Sequence, residues 1–125
     1  MIEERKLTIK EKALRINLDR SIYGSFAEIG AGRFMEGDNY VAWAVSPESP
    51  ALAVMKPHDK KPATVGNGVM IALVVDSTEK VDALHRKALE LGATDEGAAG
   101  PRGDGFYAGY FRDPDGNKLN FFHMG

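Results

Sequence analysis

Apolar and polar residues alternate with a period of two in several short stretches, which is the pattern of half-buried β-strands. Such stretches predict strands over 13–18 and 105–112, and the continuous apolar run over 69–75 predicts a strand buried on both faces. Four further strands are predicted over 33–36, 40–45, 51–56 and 117–124. The pattern therefore predicts a chain that is mostly sheet.

Two helices are predicted, over 19–29 and from Asp76 to about Leu91. In the second, Asp76 is the expected N-cap and Glu79 is its partner in a capping box. The apolar residues of this helix recur at steps of three and four, which places them on one face: Val81, Leu84, Ala88 and Leu91. One long amphipathic helix is therefore expected to pack against the second half of the sheet.

Turn-forming residues divide the chain into two halves. The proline- and glycine-containing stretch 57–68 predicts a connection between a first module at about 1–56 and a second at 69–125. In the second module, strand and helix are followed by a predicted loop at 95–104 and by two strands joined by the turn 113–116, with a further short strand near 93–96 left open. The first module gives strand, helix and three strands. Both halves therefore indicate a weakly repeated βαβββ unit within a single α+β domain.

Composition excludes several classes of function. A net charge of −2 and the lack of a basic run argue against binding to nucleic acid. The chain has no cysteine, so disulfide and thiolate chemistry are excluded. Its charged start predicts no secretory signal, and the longest apolar run, roughly Val69 to Val75, is too short to span a bilayer. We therefore expect a cytoplasmic protein whose partners are neither nucleic acid nor membrane.

Several segments of the chain resemble a known family. They are Lys56-Pro57, the stretch 61–68, the helical segment 81–85, Gly100-Pro101-Arg102 and, most specifically, the run 111–117 (FRDPDGN) between two aromatic strands. Together they resemble the vicinal oxygen chelate superfamily. That group includes glyoxalase I, fosfomycin-resistance proteins, extradiol dioxygenases and bleomycin-binding proteins.

The resemblance covers about 33–125 and implies two βαβββ modules whose curled antiparallel sheets surround a pocket. Residues 13–32 depart from the family pattern, so the first module is expected to be atypical or shortened at its N-terminus. A shortened module would expose a sheet edge, and such edges pair readily with another chain. We therefore expect a homodimer, with strand or module exchange between subunits as one form of it.

The same resemblance bears on metal binding. Metal-dependent members hold a divalent ion with His, Gln or Glu, and the matching positions here are Met70 and Asn120. A thioether is a poor ligand for a hard ion, and a single amide oxygen does not balance a divalent charge. The histidines, His58, His85 and His123, are expected to lie on the surface or to pack in the core. We therefore expect no metal and no cofactor, and no catalytic residue is assigned.

Hairpin register selects candidate ligand-binding residues. A four-residue turn at 113–116 would pair Gly109 with Asn120 and Tyr107 with Phe122. These side chains would then share a pocket with Met70. The full set of candidates adds two residues of the first module and comprises Trp43, Met55, Met70, Tyr107, Asn120 and Phe122. An aromatic and methionine-rich pocket of this kind is typical of sites for flat apolar molecules.

Three functions remain open at this stage. The first is metal-free binding of a small apolar or aromatic molecule, as the resemblance to bleomycin-binding, drug-sequestering proteins implies. The second is a metal-dependent lyase or transferase resembling glyoxalase I, or a dioxygenase-like enzyme. The third is a non-catalytic dimeric scaffold or chimeric remnant. The residues at the ligand positions favour the first over an enzyme.

Overall fold

The structure, a computed structural model, describes residues 30–38 and 40–125, apart from the side chain of Phe34. The strand predicted over 13–18 and the helix predicted over 19–29 lie outside the described residues. The described residues divide into two compact units, with the boundary between Thr64 and Val65.

The first unit contains a three-stranded antiparallel sheet. Its strands are β1 (Gly32–Glu36), β2 (Tyr40–Ala44) and β3 (Leu52–Met55), in that spatial order, which confirms the three strands predicted there. The turn between β2 and β3 is held by a contact of 2.6 Å between the hydroxyls of Ser46 and Ser49. The central strand β2 is buried along most of its length.

The second unit has the βαβββ order expected from the sequence. Its elements are β4 (Met70–Val74), α1 (Thr78–Glu90), β5 (Thr94–Pro101), β6 (Phe106–Arg112) and β7 (Lys118–Met124). The four strands form one sheet in the order β4-β7-β6-β5. β4 runs parallel to β7, and the other neighbours are antiparallel.

The helix α1 begins one residue later than the predicted N-cap. Ser77, not Asp76, is the N-cap, because its extended backbone lets its hydroxyl accept a hydrogen bond from the amide of Lys80 at 3.1 Å. The predicted capping box of Asp76 and Glu79 is therefore wrong. At the other end Gly92 has a φ of 110°, a conformation that favours glycine. α1, the helix of the described part of the chain, is too short and too polar to serve as a transmembrane span.

The core of the second unit lies between α1 and one face of the sheet. The apolar side of α1 contributes the buried residues Val81, Leu84 and Ala88, as the helical period predicts. The sheet contributes Phe111, Leu119 and Phe121, each almost fully buried. The rings of Phe111 and Phe121 lie 5.4 Å apart. Burial of each such large side chain stabilises the fold by about 1.5–3 kcal/mol.

The strand β4 is not buried on both faces, contrary to the expectation from its apolar run. Ile71 and Leu73 are half-buried, whereas Met70, Ala72 and Val74 are exposed. The reason is its position, because β4 ends the sheet that the described strands of this unit form. The sequence does not show which face of β4 is exposed, because all five of its residues are apolar and both faces have the same composition.

The segment predicted as a loop at 95–104 is mostly the strand β5. Its pairing with β6 shifts register between Asp95 and Gly97 and again between Gly97 and Gly100. Such bulges insert extra residues into one strand while the ladder resumes on either side. The glycine content that suggested a loop therefore belongs to a bulged strand, and only 102–105 remain as the connection to β6.

Candidate ligand site

The turn between β6 and β7 sets the register of the hairpin. The amide of Asp113 donates to the carbonyl of Asn117 at 2.9 Å, and Arg112 pairs with Lys118. The carboxylate of Asp113 accepts from the amides of Asp115 (3.0 Å) and Asn117 (2.9 Å) and from Asn117 Nδ2 (2.8 Å). These bonds keep Asn117 inside the loop. The loop is therefore one residue longer than the predicted four-residue turn, and the predicted pairing is wrong by one residue.

Because of this one-residue shift, the tyrosine opposite Asn120 differs from the expected face partner Tyr107. Asn120 pairs with Tyr110, whereas Tyr107 pairs with His123. Tyr107 therefore lies on the face that packs against α1, where its hydroxyl donates to Asp82 Oδ1 at 2.6 Å. The expected grouping of Tyr107 with Asn120 and Phe122 on one face is wrong, and the sequence argument missed Tyr110. The correct pairing could have been predicted only from the correct loop length. Alternation shows which residues of one strand share a face, but not which residues of the neighbouring strand lie opposite them.

The side of the sheet that faces away from α1 is called the distal face here. Strand alternation and the pairing of β4 with β7 bring Met70, Asn120 and Phe122 to this face, as the sequence argument placed them. The complete set of side chains from β4, β6 and β7 is Met70, Ala72, Val74, Phe106, Ala108, Tyr110, Arg112, Lys118, Asn120, Phe122 and Met124.

Residues in register form rows across the distal face, and the rows differ in polarity. The first row is largely cationic and contains Met70, Lys118 and Arg112. The second is polar at its centre and contains Ala72, Asn120 and Tyr110. The next rows are apolar and contain Val74, Phe122, Ala108, Met124 and Phe106. The distal face therefore changes from charged to apolar along the strand direction.

Asn120 at the centre of this face is buried without a hydrogen-bond partner. Its exposure is 1%, and neither Nδ2 nor Oδ1 has a partner among the residues that the structure describes. A buried polar group left in this state costs about 1–3 kcal/mol, and buried amides in folded proteins are nearly always satisfied. The side chain of Asn120 therefore has donor and acceptor capacity that the described residues do not use.

Charged side chains surround the ring of Tyr110. Lys118 Nζ lies 5.4 Å from the ring centroid, and the guanidinium carbon of Arg102 lies 5.5 Å from it. Arg102 Nη2 also donates to the carbonyl of Ala98 at 2.6 Å, which fixes the guanidinium beside the bulged strand. Cations held over an aromatic ring are attracted to its electron-rich face. The polar row is therefore bordered by positive charge.

One carboxylate offsets part of this charge. Glu96 Oε1 lies 3.1 Å from Arg112 Nε and 3.6 Å from Lys118 Nζ. Arg112 Nη1 also donates to the carbonyl of Gly116 at 2.8 Å. The stronger bonds of Glu96 and the hairpin loop therefore go to Arg112, and Lys118 makes only a long contact.

The three histidines do not meet on the distal face. His85 is buried on α1, where its Nε2 lies 3.1 Å from the carbonyl of Tyr110 and 3.3 Å from Asp95 Oδ1. His123 Nδ1 lies 2.9 Å from the carbonyl of Val75, and His58 is exposed. His85 packs in the core and His58 lies on the surface, which are the two kinds of role expected for these residues.

The distal face does not fit a hard divalent cation. Its two family positions carry the thioether of Met70 and the neutral amide of Asn120, and the register partner of Met70 is Lys118. Lysine next to the site would repel a divalent ion, and hard ions require oxygen ligands with negative charge. Across residues 30–38 and 40–125, no cluster of three or more His, Cys, Asp or Glu side chains has the arrangement of a metal site.

The two candidates from the first module lie on opposite faces of the first sheet. Trp43 is buried and pairs with Leu52, whereas Met55 is exposed and pairs with Tyr40. Alternation along β2 and β3 separates their side chains. The expectation that both line one pocket is therefore wrong, since a single face of this sheet can present only one of them.

The chain matches the model of the family described as Glyoxalase/Bleomycin resistance protein/Dioxygenase superfamily over residues 19–121. No protein of curated function is similar enough to count as a match. Among solved structures, a glyoxalase/bleomycin resistance protein from Albidiferax ferrireducens T118 is 29% identical, with a TM-score of 0.75, over 86% of this chain and 88% of that one.

Two more distant structures share the fold. A glyoxalase/bleomycin resistance protein/dioxygenase family enzyme from Burkholderia phytofirmans PsJN is 17% identical with a TM-score of 0.65, covering 83% of this chain and 89% of its own. A lactoylglutathione lyase from Agrobacterium tumefaciens is 17% identical with a TM-score of 0.57, covering 85% and 80%. At this identity the likeness concerns the fold alone.

Proposed function

Because the chain belongs to the glyoxalase/bleomycin resistance protein/dioxygenase superfamily, we propose that it binds a small organic molecule on the distal face without a metal ion. The observation that carries the proposal is the buried amide of Asn120, which has no partner among the described side chains. Folded chains rarely keep such a group unless something bound satisfies it. A ligand that accepts from or donates to Asn120 would remove the penalty.

The apolar rows supply the remainder of the proposed site. The rings of Phe106 and Phe122 stack with centroids 5.4 Å apart, and the short side chain of Ala108 lies beside Phe122. Stacked aromatic side chains next to small ones suit a flat apolar group. Met70, which adapts its shape readily, borders this surface. The site would thus combine one polar anchor with an apolar floor.

The two other functions left open by the sequence, a metal-dependent enzyme and a scaffold without a ligand, have less support. A metal-dependent lyase or transferase resembling glyoxalase I requires charged oxygen or imidazole ligands where this chain has Met70 and Asn120. A scaffold without a ligand would gain stability from an apolar residue in place of Asn120, since the amide is buried and unsatisfied. Binding without a metal therefore explains the residues best.

We also propose that the protein is a homodimer. The end of the sheet at β4 carries exposed apolar side chains at Val69, Met70 and Val74, and Met124 of β7 is exposed as well. Exposed sheet edges and apolar patches are stabilised when a second copy covers them. The cytoplasmic location stays a prediction.

Two measurements test the proposed function. The first is thermal unfolding of the full chain in the presence of a panel of flat apolar molecules. At least one of them should raise the free energy of unfolding of the wild type, by about 2.7 kcal/mol at a concentration of a hundred times its Kd. The Asn120→Leu variant should lose this effect, whereas Asn67→Leu, in an exposed loop, should keep it.

The second measurement concerns metal. Protein soaked in Ni²⁺, Mn²⁺ or Zn²⁺ and then dialysed should retain none of them in stoichiometric amount by elemental analysis. Retention of one ion per chain that is lost in Asn120→Ala would overturn the metal-free proposal and favour the enzyme class.

A further inference from the structure

We infer that the ligand of the distal face is an organic anion, with its acid group beside Asn120 and Lys118 and its apolar body over Phe122. This inference rests on the proposed function and adds the chemical class of the ligand. It follows from the order of the rows, because the cationic row, the orphaned amide and the apolar rows succeed one another along a single strand, β7.

The charges around the polar row favour an anion. Arg102, Arg112 and Lys118 carry three positive charges. The carboxylate of Glu96 contacts Arg112 and Lys118. The nearby carboxylate of Asp113 is bonded to the donors of its own turn. The surroundings of Tyr110 therefore have an excess of positive charge within a protein whose net charge is −2. An acid group would be attracted to this end, and a cationic group would be repelled from it.

Lys118 is the cation best able to reach a ligand. Its ammonium lies 3.6 Å from Glu96 Oε1, which is longer than a good hydrogen bond, whereas Arg112 Nε approaches the same oxygen to 3.1 Å. Arg102 and Arg112 are also bonded to backbone carbonyls. Lysine has three donors on a flexible stem, so it can turn from Glu96 to a bound acid group.

Asn120 and Lys118 are spaced to share one acid group. They are two residues apart on β7, so their side chains leave the same face about 6.8 Å apart at the backbone. The Nδ2 group of Asn120 has two N–H donors that meet no acceptor in the described part of the chain. An oxygen of a carboxylate placed between them would accept from Asn120 while its charge is balanced by Lys118. A charged acceptor of this kind makes a stronger hydrogen bond than a neutral one.

The apolar rows set the size of the ligand body. Phe122 and Met124 follow Asn120 at intervals of two residues, so the apolar surface extends about 13 Å beyond the amide. That length accommodates one or two fused rings. The ligand class is therefore a flat aromatic or apolar carboxylate rather than a small polar acid.

The test compares three probes that share one ring system and differ in charge: 2-naphthoate, 2-naphthamide and 2-naphthylmethylammonium. In calorimetric titrations of the full chain, we expect the acid to bind at least about tenfold more tightly than the amide, because it adds one charge-assisted hydrogen bond. The cation should bind most weakly. The preference for the acid should shrink as salt is added, since the charges lie near solvent.

The location is tested by substitution. Lys118→Met should reduce the affinity for naphthoate about tenfold and leave the affinity for naphthamide unchanged. The matched control is Lys87→Met, in the last turn of α1, which should leave both affinities unchanged. Lys118→Gln provides a second variant if the methionine form does not fold, and circular dichroism checks each protein.

Other results would overturn different parts of the inference. Equal binding of the acid and the amide, or tighter binding of the cation, would overturn the anion inference and leave the proposed function standing. A preference for the acid that survives in both Lys118 variants would overturn the placement of the acid group. Failure of all three probes to bind, while another molecule of the thermal-unfolding panel stabilises the protein, would overturn the inference and leave the proposed function standing. Failure of the whole panel would overturn both.

Discussion

Gly109 leaves the space that the imidazole of His85 fills. A Cβ atom on Gly109 would lie 2.8 Å from His85 Cδ2 and 2.9 Å from its Cγ, closer than carbon atoms approach in folded proteins. The ring of His85 is held there by the carbonyl of Tyr110 and by edge-on contact with Phe111 at 6.4 Å. The absence of a side chain at Gly109 thus lets α1 pack closely on β6.

We expect Gly109→Ala to destabilise the protein by about 1–3 kcal/mol, because the added methyl overpacks the interface. Urea unfolding measures the change. Gly32→Ala is the matched control, since its Cβ would meet no described atom within 4 Å, and it should stay within about 0.5 kcal/mol of wild type. In a His85→Ala background the cost of Gly109→Ala should fall. An equal cost in both backgrounds would show that the two residues are not coupled.

Asn120→Leu should raise the free energy of unfolding of the ligand-free protein. The amide is buried and lacks partners in the described residues, so its replacement removes an unsatisfied group worth about 1–3 kcal/mol. The same change should abolish ligand binding, as stabilising substitutions at binding sites often do. Chemical denaturation with and without ligand measures both effects, and Asn67→Leu is the exposed control. A less stable Asn120→Leu protein would mean that the amide is satisfied after all.

The pair Tyr107 and Asp82 predicts a dependence of stability on alkaline pH. The hydrogen bond to Asp82, with smaller effects of desolvation and of the charges of Asp82 and Glu79, raises the pKa of Tyr107 above its usual 10.0. The folded state therefore holds this proton more tightly than the unfolded state does. The contribution is present below pH 10.0 and is lost as the pH rises through the raised pKa.

The stability difference between wild type and Tyr107→Phe should accordingly be constant near neutral pH and should shrink above about pH 10. Urea unfolding at a series of pH values measures it. In Asp82→Asn the difference should be smaller and should vary less with pH, because the charged acceptor is gone. A difference that grows with pH would contradict the sign of the shift.

Asp113→Ala should destabilise the hairpin by about 1–3 kcal/mol, because it removes the acceptor of two backbone amides and of Asn117 Nδ2. The matched control is Asp59→Ala, which removes a similar bond to the amide of Lys61 in an exposed loop. That change should cost less than about 0.5 kcal/mol. Equal losses in the two variants would show that the turn does not depend on Asp113.

The proposed homodimer predicts that a charge on β4 separates the subunits. Val74, which is 66% exposed, lies on this strand, and Val74→Lys should yield monomers in light scattering at micromolar concentration. Ala83→Lys, on the exposed side of α1, should leave the assembly unchanged. A wild-type protein that is already monomeric would overturn the proposal.

Much of the fold could be predicted from the sequence pattern, because α1 buries one regular face and most strands are bounded by turn-forming residues. The register of the last hairpin could not, since it depends on the three hydrogen bonds of the Asp113 carboxylate rather than on the turn residues alone. The candidate site was likewise predicted only in part. Met70 and Asn120 were selected through the family pattern and lie on the same face of the sheet. Tyr110 was not selected, because counting began from a turn that was one residue too short.

The full length of β5 was not predicted either, although a short strand near 93–96 had been left open. Its eight residues, Thr94–Pro101, lie opposite only the six positions from Tyr107 to Arg112. The two extra residues of β5 form bulges near Glu96 and within 98–99, and the pairing with β6 is regular again beyond each bulge. A residue deleted at one of these points would remove a bulge and leave the partners of Asp95 and Gly100 unchanged. We expect relatives to differ in length here, so that alignment gaps cluster in β5 while β6 and β7 keep a constant number of residues.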